Sequence, residues 1–172
     1  MNKRLFLAIW LCTLIWVLQN TPVLQTVEQD IVAITKSTFD FITNFEGKRN
    51  KAYKDSKGLW TIGVGHLIKS DEQYLLNAVL TDQQVEDLFK SDLKWCDAAV
   101  MDSVRAPLNQ NQMDALYSLC FNIGETAFRK STVVRKLNEN DLKGAADAIL
   151  MWNKPAVLQK RRERERALFL GA

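Results

Sequence analysis

Two carboxylates and one hydroxyl lie close together in the segment that runs from residue 45 to residue 66. Glu46 precedes Asp55 by nine residues, and Thr61 follows six residues later. Hydrolysis of a glycosidic bond needs such a pair, because one carboxyl protonates the leaving oxygen while the other stabilises the oxocarbenium-like transition state or handles the attacking water. The three residues are therefore candidates for this chemistry, although acidic pairs at this spacing also occur on solvated surfaces.

The local sequence predicts that the two acids lie on different elements. Glu46 ends an apolar stretch with helical spacing, and Gly47 is typical of the residue that follows a helix. Asp55 opens a turn pattern between two strand-like runs, residues 52–54 and 59–62. One acid at a helix end and the other in a hairpin can face a cleft from two sides.

Helix-start signals dominate the chain after the predicted hairpin, which extends over residues 52–68. The helix that carries Glu46 is expected to begin at Ser37 or Thr38, since both can act as N-caps. Later N-caps are predicted at Thr81, Asn109, Ser131 and Asp141. Their helices are expected to end near residues 104, 122 and 152, with Pro155 as a break before a last helix over 156–170. One small sheet and many helices indicate an α+β fold.

Composition places the chain among ordinary globular proteins. Its 172 residues suffice for one domain with a core, and it is 47% hydrophobic and 25% charged. The net charge of +3 is too small to indicate a nucleic-acid partner. Residues 160–166 alternate in charge at helical spacing, which predicts a charged helix face with i,i+4 pairs.

Basic residues nevertheless crowd the segment that holds the two acids. A basic rim would attract an anionic polymer over a long range, and a solvated hairpin face explains the same residues equally well. They are Lys48, Arg49, Lys51, Lys54 and Lys57.

The N-terminus has the pattern of an export signal. Lys3 and Arg4 precede an apolar run over residues 5–18, which is interrupted only by Thr13. A helix of that length spans about 21 Å, which is short of the hydrocarbon core of roughly 30 Å. Extension to Leu24 reaches about 30 Å, but it includes polar residues.

This N-terminal segment is predicted to remain attached as a signal anchor, with a cleaved signal peptide as the alternative. No small-residue cleavage pattern follows it, since the first alanine after the run is Ala33. The positive-inside rule keeps Lys3 and Arg4 in the cytoplasm and sends the rest of the chain outward. The predicted domains are therefore a signal-anchor segment, 1–25, and a catalytic domain, 26–172.

The segment around the two acids resembles the phage lysozyme (endolysin) family. That family's signature is Glu, eight residues, Asp, five residues, Thr and then Gly-x-Gly-His, and Glu46, Asp55, Thr61 and residues 63–66 match it without departure. The resemblance extends over most of residues 38–169. Its further blocks are residues 107–116, 121–124, 131–138 and 161–169.

The resemblance implies a two-lobed lysozyme-like fold, with a small β-sheet lobe, a larger helical lobe and a cleft between them, preceded by an apolar N-terminal helix. It implies hydrolysis of the β-1,4 bond between N-acetylmuramic acid and N-acetylglucosamine in peptidoglycan, with inversion, and lysis of the bacterial cell. No metal and no other cofactor is implied.

The resemblance also implies roles for particular residues. Glu46 is expected to be the general acid, Asp55 to stay ionised and stabilise positive charge, and Thr61 to position the water. The positions that match sugar-binding residues of the family are Leu67, Phe121 and Ser131, and plain core is an equally good interpretation of the first two. His66 is expected to be structural and paired with an acid of the helical lobe. Core or lobe packing is expected for Trp60, Trp95 and Trp152.

Some members of the family carry a signal-arrest-release segment that tethers them, inactive, in the inner membrane until it depolarises. The short apolar run and the polar residues 19–21 fit that type, whereas the large side chains, Trp10 and Trp16 among them, favour a permanent anchor. The expected partners are peptidoglycan and, through residues 5–24, the inner membrane, with no nucleic acid. The expected location is the periplasmic face of that membrane, with release as a monomer.

Two alternative functions and the pairing of the cysteines stay open. A lytic transglycosylase cleaves the same bond with one acid and no water, and a membrane-tethered wall-binding protein needs no catalysis at all. A disulfide between Cys96 and Cys120 fits an exported domain, and buried free thiols fit their helical surroundings equally well. Regulation through Cys12 is a further hypothesis.

Overall fold

The computed structural model describes residues 34–55 and 57–172 of the chain. The predicted anchor, its flanking charges and Cys12 lie outside the described residues. Within the described part, the fold is α+β, as predicted. Its first elements are helix α1 (Lys36–Glu46) and strands β1 (Arg49–Lys54), β2 (Trp60–Gly63) and β3 (His66–Leu67). The helices that follow are α2 (Asp82–Ser103), α3 (Gln110–Ile123), α4 (Glu125–Arg129), α5 (Thr132–Asn138), α6 (Leu142–Ile149) and α7 (Gln159–Leu170).

Helix α1 begins earlier than predicted. Its N-cap is Thr35, whose side chain accepts from the Thr38 amide while the Thr38 hydroxyl accepts from the Thr35 amide. The predicted caps Ser37 and Thr38 lie inside the helix instead. Both hydroxyls donate to the carboxylate of Asp114 on α3, at 2.5 and 2.6 Å. The prediction was wrong because Thr35 forms the capping box with Thr38, only three residues away. The bonds from Ser37 and Thr38 to Asp114 attach this first turn to α3.

The later helix starts are confirmed. Thr81 and Asn109 form capping boxes with Gln84 and Gln112. Ser131 and Asp141 likewise accept from the backbone amides of the first turns of α5 and α6, Val134 and Gly144 respectively.

The last two predicted helices are shorter than expected. Helix α6 ends at Ile149 rather than Trp152, because the next three amides bond to carbonyls three residues back, which tightens the chain out of α-helical geometry. A short 3₁₀ turn, Ala156–Leu158, then precedes α7. Pro155 lies between α6 and α7, as predicted, but α6 ends six residues before it.

The sheet has the antiparallel order β1-β2-β3. Thr61 occupies the middle strand, opposite Tyr53 on one side and Leu67 on the other. Residues directly opposite each other point to the same face, so these three side chains share one face of the sheet. Ile62 and His66 form the next pair and point to the other face. Ile62 and His66 are both buried, whereas Leu67 on the first face is exposed. A slip of one residue would exchange the two faces, so this difference in burial sets the register of the sheet.

Helix α3 is the centre of the helical part. Its residues 112–120 are all buried, and it packs against α1, α2, α4 and α7. A smaller cluster of Ile62, Ile68 and Leu75 lies beneath the sheet. Cys96 and Cys120 are buried free thiols in this structure. Burial raises the pKa of Cys96, and the hydrogen bond with Cys120 raises it further.

No helix in residues 34–55 and 57–172 is long and apolar enough to cross a membrane.

His66 ties the sheet to the helical part, as the family resemblance implied. Its Nδ1 lies 2.9 Å from the carboxylate of Asp92 on α2. Its Nε2 lies 3.0 Å from Glu72, a second acid that the sequence analysis did not identify. Glu72 also accepts from the amide of Lys69. That amide and His66 hold the pKa of Glu72 below its ordinary value of 4.5.

We therefore expect Glu72→Gln to reduce the sensitivity of the fold to acid. A carboxylate whose pKa is lower in the folded chain stabilises the fold above its ordinary pKa, and this contribution disappears as the pH falls. Between about pH 5.5 and about pH 3, the melting temperature of the variant should fall less than that of the parent. The control is Asp71→Asn, at an exposed neighbouring position. Equal acid sensitivity in parent and Glu72→Gln would refute the expectation.

Candidate active site

Glu46 is the last residue of α1, at the point where the chain leaves the helix for the sheet. Gly47 ends the helix with a φ of 77° and donates its amide to the carbonyl of Thr43 at 2.9 Å. This left-handed backbone suits glycine, and it turns the chain sharply into β1. The predicted placement of Glu46 at a helix end is confirmed.

Arg161 of α7 holds the carboxyl of Glu46. Its Nη1 donates to Glu46 Oε1 at 2.6 Å, and the Glu46 side chain is 28% exposed. Phe45 fixes the same junction, because the guanidinium groups of Arg161 and Arg164 both lie 4.8 Å from the centre of its ring. The end of α1 is therefore attached to α7 by one ion pair and two cation–π contacts.

Arg161 is itself fixed by a buried ionic cluster. Glu165 is fully buried and accepts from Arg161 Nε at 3.0 Å and from Arg162 Nη1 at 2.5 Å. The Ser118 hydroxyl of α3 donates to Glu165 at 2.6 Å. Arg162 further donates to the Trp152 carbonyl and to Asn122. Every charge in the cluster has a partner, as burial requires.

The prediction of a charged helix face over residues 160–166 is therefore only partly confirmed. The predicted i,i+4 pair exists between Arg161 and Glu165. The helix face is nevertheless not a surface, because Arg161, Arg162 and Glu165 are buried. The alternation by itself does not separate a solvated charge stripe from a buried ion cluster.

Asp55 lies in the hairpin turn, as predicted. Its Oδ1 accepts from the amides of Lys57 at 2.8 Å and Leu59 at 2.9 Å. The Asp55 amide donates to the Leu59 carbonyl, and Gly58 closes the turn with its amide on the Asp55 carbonyl. The turn therefore holds one oxygen of the carboxyl group in place through backbone donors.

Thr61 lies at the base of the same hairpin. It is buried, and its hydroxyl donates to the Leu59 carbonyl at 3.3 Å, a long hydrogen bond. Leu59 therefore contacts both residues, through its amide to Asp55 and through its carbonyl to Thr61.

A cleft of about 440 Å³ opens beside the sheet. Its wall includes two of the three predicted sugar-binding residues, Leu67 and Phe121. Leu67 is 47% exposed, which distinguishes it from the core. Because Leu67 pairs with Thr61 and neighbouring strands lie about 4.8 Å apart, the wall begins one strand away from Thr61.

Ser131, the third predicted sugar-binding residue, lies elsewhere. It is buried, and its hydroxyl accepts from the Val134 amide at the start of α5. Trp95, which the sequence placed in the core or in lobe packing, lines the cleft and is 37% exposed. Trp60 is exposed and lies beneath the ammonium group of Lys54.

The basic residues of the hairpin divide into two groups. Lys48 is neutralised by Asp82 at 2.9 Å, and Arg49 and Lys54 lie over the rings of Tyr53 and Trp60. The exposed Lys51 and Lys57 make no ion pair among the described residues. Within residues 34–55 and 57–172, no cluster of three or more potential ligands could hold a metal ion.

Comparison with known proteins identifies the family of this chain. The family model for phage lysozyme matches residues 43–165. The chain belongs to the phage lysozyme family. It is 52% identical over 131 residues to an endolysin of Salmonella phage P22, which covers 73% of this chain and 90% of that relative. It is 32% identical to a SAR-endolysin of Enterobacteria phage P21, over 73% of this chain and 77% of the relative.

A solved structure shows the same fold. A crystal structure of a P22 lysozyme mutant superposes with a TM-score of 0.75 at 47% identity, and covers 80% of this chain and 98% of that one. The fold is thus lysozyme-like, as expected. As a member of this family, the chain is a glycoside hydrolase of the endolysin type, which acts on peptidoglycan.

The contacts of Arg161 and the position of Trp95 are not evident from the sequence. Arg161 stands out only as part of a family block, and no local signal connects it to Glu46, 115 residues earlier. The aromatic character of Trp95 was evident, but its exposure depends on how α2, α3 and the sheet meet.

Removal of one partner from the buried cluster should destabilise the chain severely. Arg162→Met removes one of the two guanidinium groups that neutralise the fully buried carboxylate of Glu165. We therefore expect a loss of about 3–5 kcal/mol in the free energy of unfolding. Urea titration measures this loss. The control on the same helix is Arg166→Met, since Arg166 pairs with a half-exposed Asp147 and such pairs contribute little. Equal losses in both variants would contradict the importance of burial here.

Proposed function

We propose that the chain hydrolyses the β-1,4 bond between N-acetylmuramic acid and N-acetylglucosamine, with Glu46 as general acid and Asp55 and Thr61 as its catalytic partners. The observation that carries this proposal is the separate anchoring of the two carboxyls. Glu46 is held by Arg161 at the end of α1, and Asp55 is held by backbone amides in the hairpin. Two fixed carboxyls in different environments suit two different tasks.

Glu46 donates the proton to the leaving oxygen. Its bond to Arg161 uses Oε1, which leaves Oε2 for the proton transfer. The guanidinium of Arg161 is itself fixed by Glu165 at 3.0 Å. Arg161 therefore holds the Glu46 carboxyl in one orientation.

Asp55 acts as the carboxylate that stabilises positive charge at the sugar and helps to orient water. The two amide donors on Oδ1 fix its plane before the substrate arrives, which reduces the reorganisation needed during the reaction. Thr61 positions the attacking water. Its long bond to the Leu59 carbonyl is easily exchanged for one to water. The family resemblance implies an inverting course, in which this water attacks the sugar from the face opposite the leaving group.

The rival functions are less well supported. A lytic transglycosylase needs no water-positioning residue, whereas this hairpin carries both Asp55 and Thr61. A wall-binding protein without catalysis needs no carboxyl held at a helix end by a buried arginine.

Glu46→Gln should abolish most of the activity of the full chain. Loss of a general acid costs about 10²–10⁴-fold in rate, while the amide keeps the size of the side chain. The measurement is the release of reducing ends from purified peptidoglycan. The control is Asp40→Asn on the same helix, an exposed acid that pairs with Lys36.

Three results would contradict this assignment of function. Products with anhydromuramic ends would indicate a transglycosylase. Undiminished release by Glu46→Gln would exclude Glu46 as the acid. Binding to peptidoglycan without any release of ends by the parent would indicate the wall-binding function.

We further propose that residues 5–24 tether the catalytic domain to the periplasmic face of the inner membrane, from which it is released as a monomer. The SAR-endolysin names of several relatives and the apolar run over residues 5–18 support this. The domain division at residue 25 follows from the same pattern.

The full chain, expressed in bacteria, should therefore resist alkaline extraction from membranes. A chain that begins at Thr26 should be found in the soluble fraction, because it lacks the apolar run. Collapse of the membrane potential should shift the full chain into the periplasmic extract. Extraction of the full chain at alkaline pH before any depolarisation would refute the tether.

A further inference from the structure

Trp95 completes a surface in the cleft that the catalytic residues do not use. The wall of the cleft contains Leu67, Phe121 and Trp95, but none of Glu46, Asp55 and Thr61. A glycan chain that is cut at Glu46 extends on both sides of the cut. A cleft one strand away from Thr61 is therefore placed for a sugar that is bound but not cleaved.

The Trp95 ring is the outer end of a connected row of aromatic rings. Phe39 meets Phe89 edge-on with centroids 5.3 Å apart, and Phe89 lies 5.9 Å from Phe121. Phe121 in turn stacks with Trp95, with an angle of 18° between the ring planes. The first two rings are buried, whereas Trp95 is 37% exposed. The row therefore holds the partly exposed Trp95 ring against buried aromatic rings.

The surroundings of this indole are amphipathic. Trp95 lies on the same face of α2 as Leu88, Ser91 and Asp92, since their spacing is that of successive helical turns. Asp92 is engaged by His66, while Ser91 is exposed. An apolar ring beside a hydroxyl matches a pyranose, which has an apolar face of C–H groups and polar edges. Binding pockets for small ligands commonly combine an aromatic wall with a few polar groups.

We propose that Trp95, supported by Phe121, is a binding platform for a non-cleaved sugar residue of the glycan chain, with the Ser91 hydroxyl bonding to the edge of that sugar. The proposal rests on the proposed function, because it takes the bound polymer to be the substrate. It adds a specificity: longer glycan chains bind more tightly than fragments too short to reach the platform.

The test measures binding and turnover separately. In full-length chain that carries Glu46→Gln, binding of soluble peptidoglycan glycan strands without stem peptides is measured with and without Trp95→Ala. Loss of the stacking surface should weaken binding of long strands about tenfold. Binding of the disaccharide unit should stay unchanged. With Glu46 intact, Trp95→Ala should raise KM for long strands and leave kcat close to that of the parent.

Two further variants separate binding from folding. Trp95→Phe retains an aromatic face and should recover most of the affinity. Met101→Ala removes a side chain that is 62% exposed on the same helix and does not line the cleft, and it should change nothing. A merely structural tryptophan would affect long and short substrates alike, with a lower melting temperature.

The outcomes distinguish this proposal from the proposed function. If the parent cleaves glycan strands and Trp95→Ala binds long strands as tightly as its parent, the platform is refuted and the function stands. If the parent neither binds nor cleaves the strands, both fail. Length-dependent weakening in Trp95→Ala together with recovery in Trp95→Phe supports the platform.

Discussion

The site depends on one buried ion cluster, in which Arg161 contacts Glu46 on one side and Glu165 on the other. Burial of these charges is tolerated only because Glu165 is also bonded to Arg162 and Ser118. The cluster joins three helices that are distant in sequence: α1, α3 and α7. It thereby determines where the end of α1 lies, and with it the position of Glu46.

The second carboxyl is positioned by local structure instead. The hairpin turn supplies backbone donors to Asp55, and the sheet register places Thr61 opposite Leu67. His66 then attaches this sheet to α2 through Asp92. One half of the site is thus built from contacts within a few residues, while the other half needs contacts across more than a hundred. Glycosidic hydrolysis would need the two carboxyls, Glu46 and Asp55, to be positioned at the same time.

The cleft follows from how these parts meet. Leu67, which shares a face of the sheet with Thr61, lines the cleft together with Phe121 and Trp95. The two aromatic rings are held in place because they connect with buried rings of α1 and α2. The proposed catalytic hairpin and the proposed sugar-binding wall therefore belong to one packed structure.

The sequence by itself determined the elements whose signals are local. It predicted Glu46 at a helix end, Asp55 in a turn and the capping boxes at Thr81 and Asn109, because side-chain caps and glycine turns act within a few residues. Family resemblance added the fold and the candidate triad. Only the tertiary structure decided the bonds of Ser37 and Thr38 to Asp114, the burial of Arg161 and the exposure of Trp95. These depend on which surfaces meet, and charge pattern or residue type at one position does not specify a partner that lies tens of residues away.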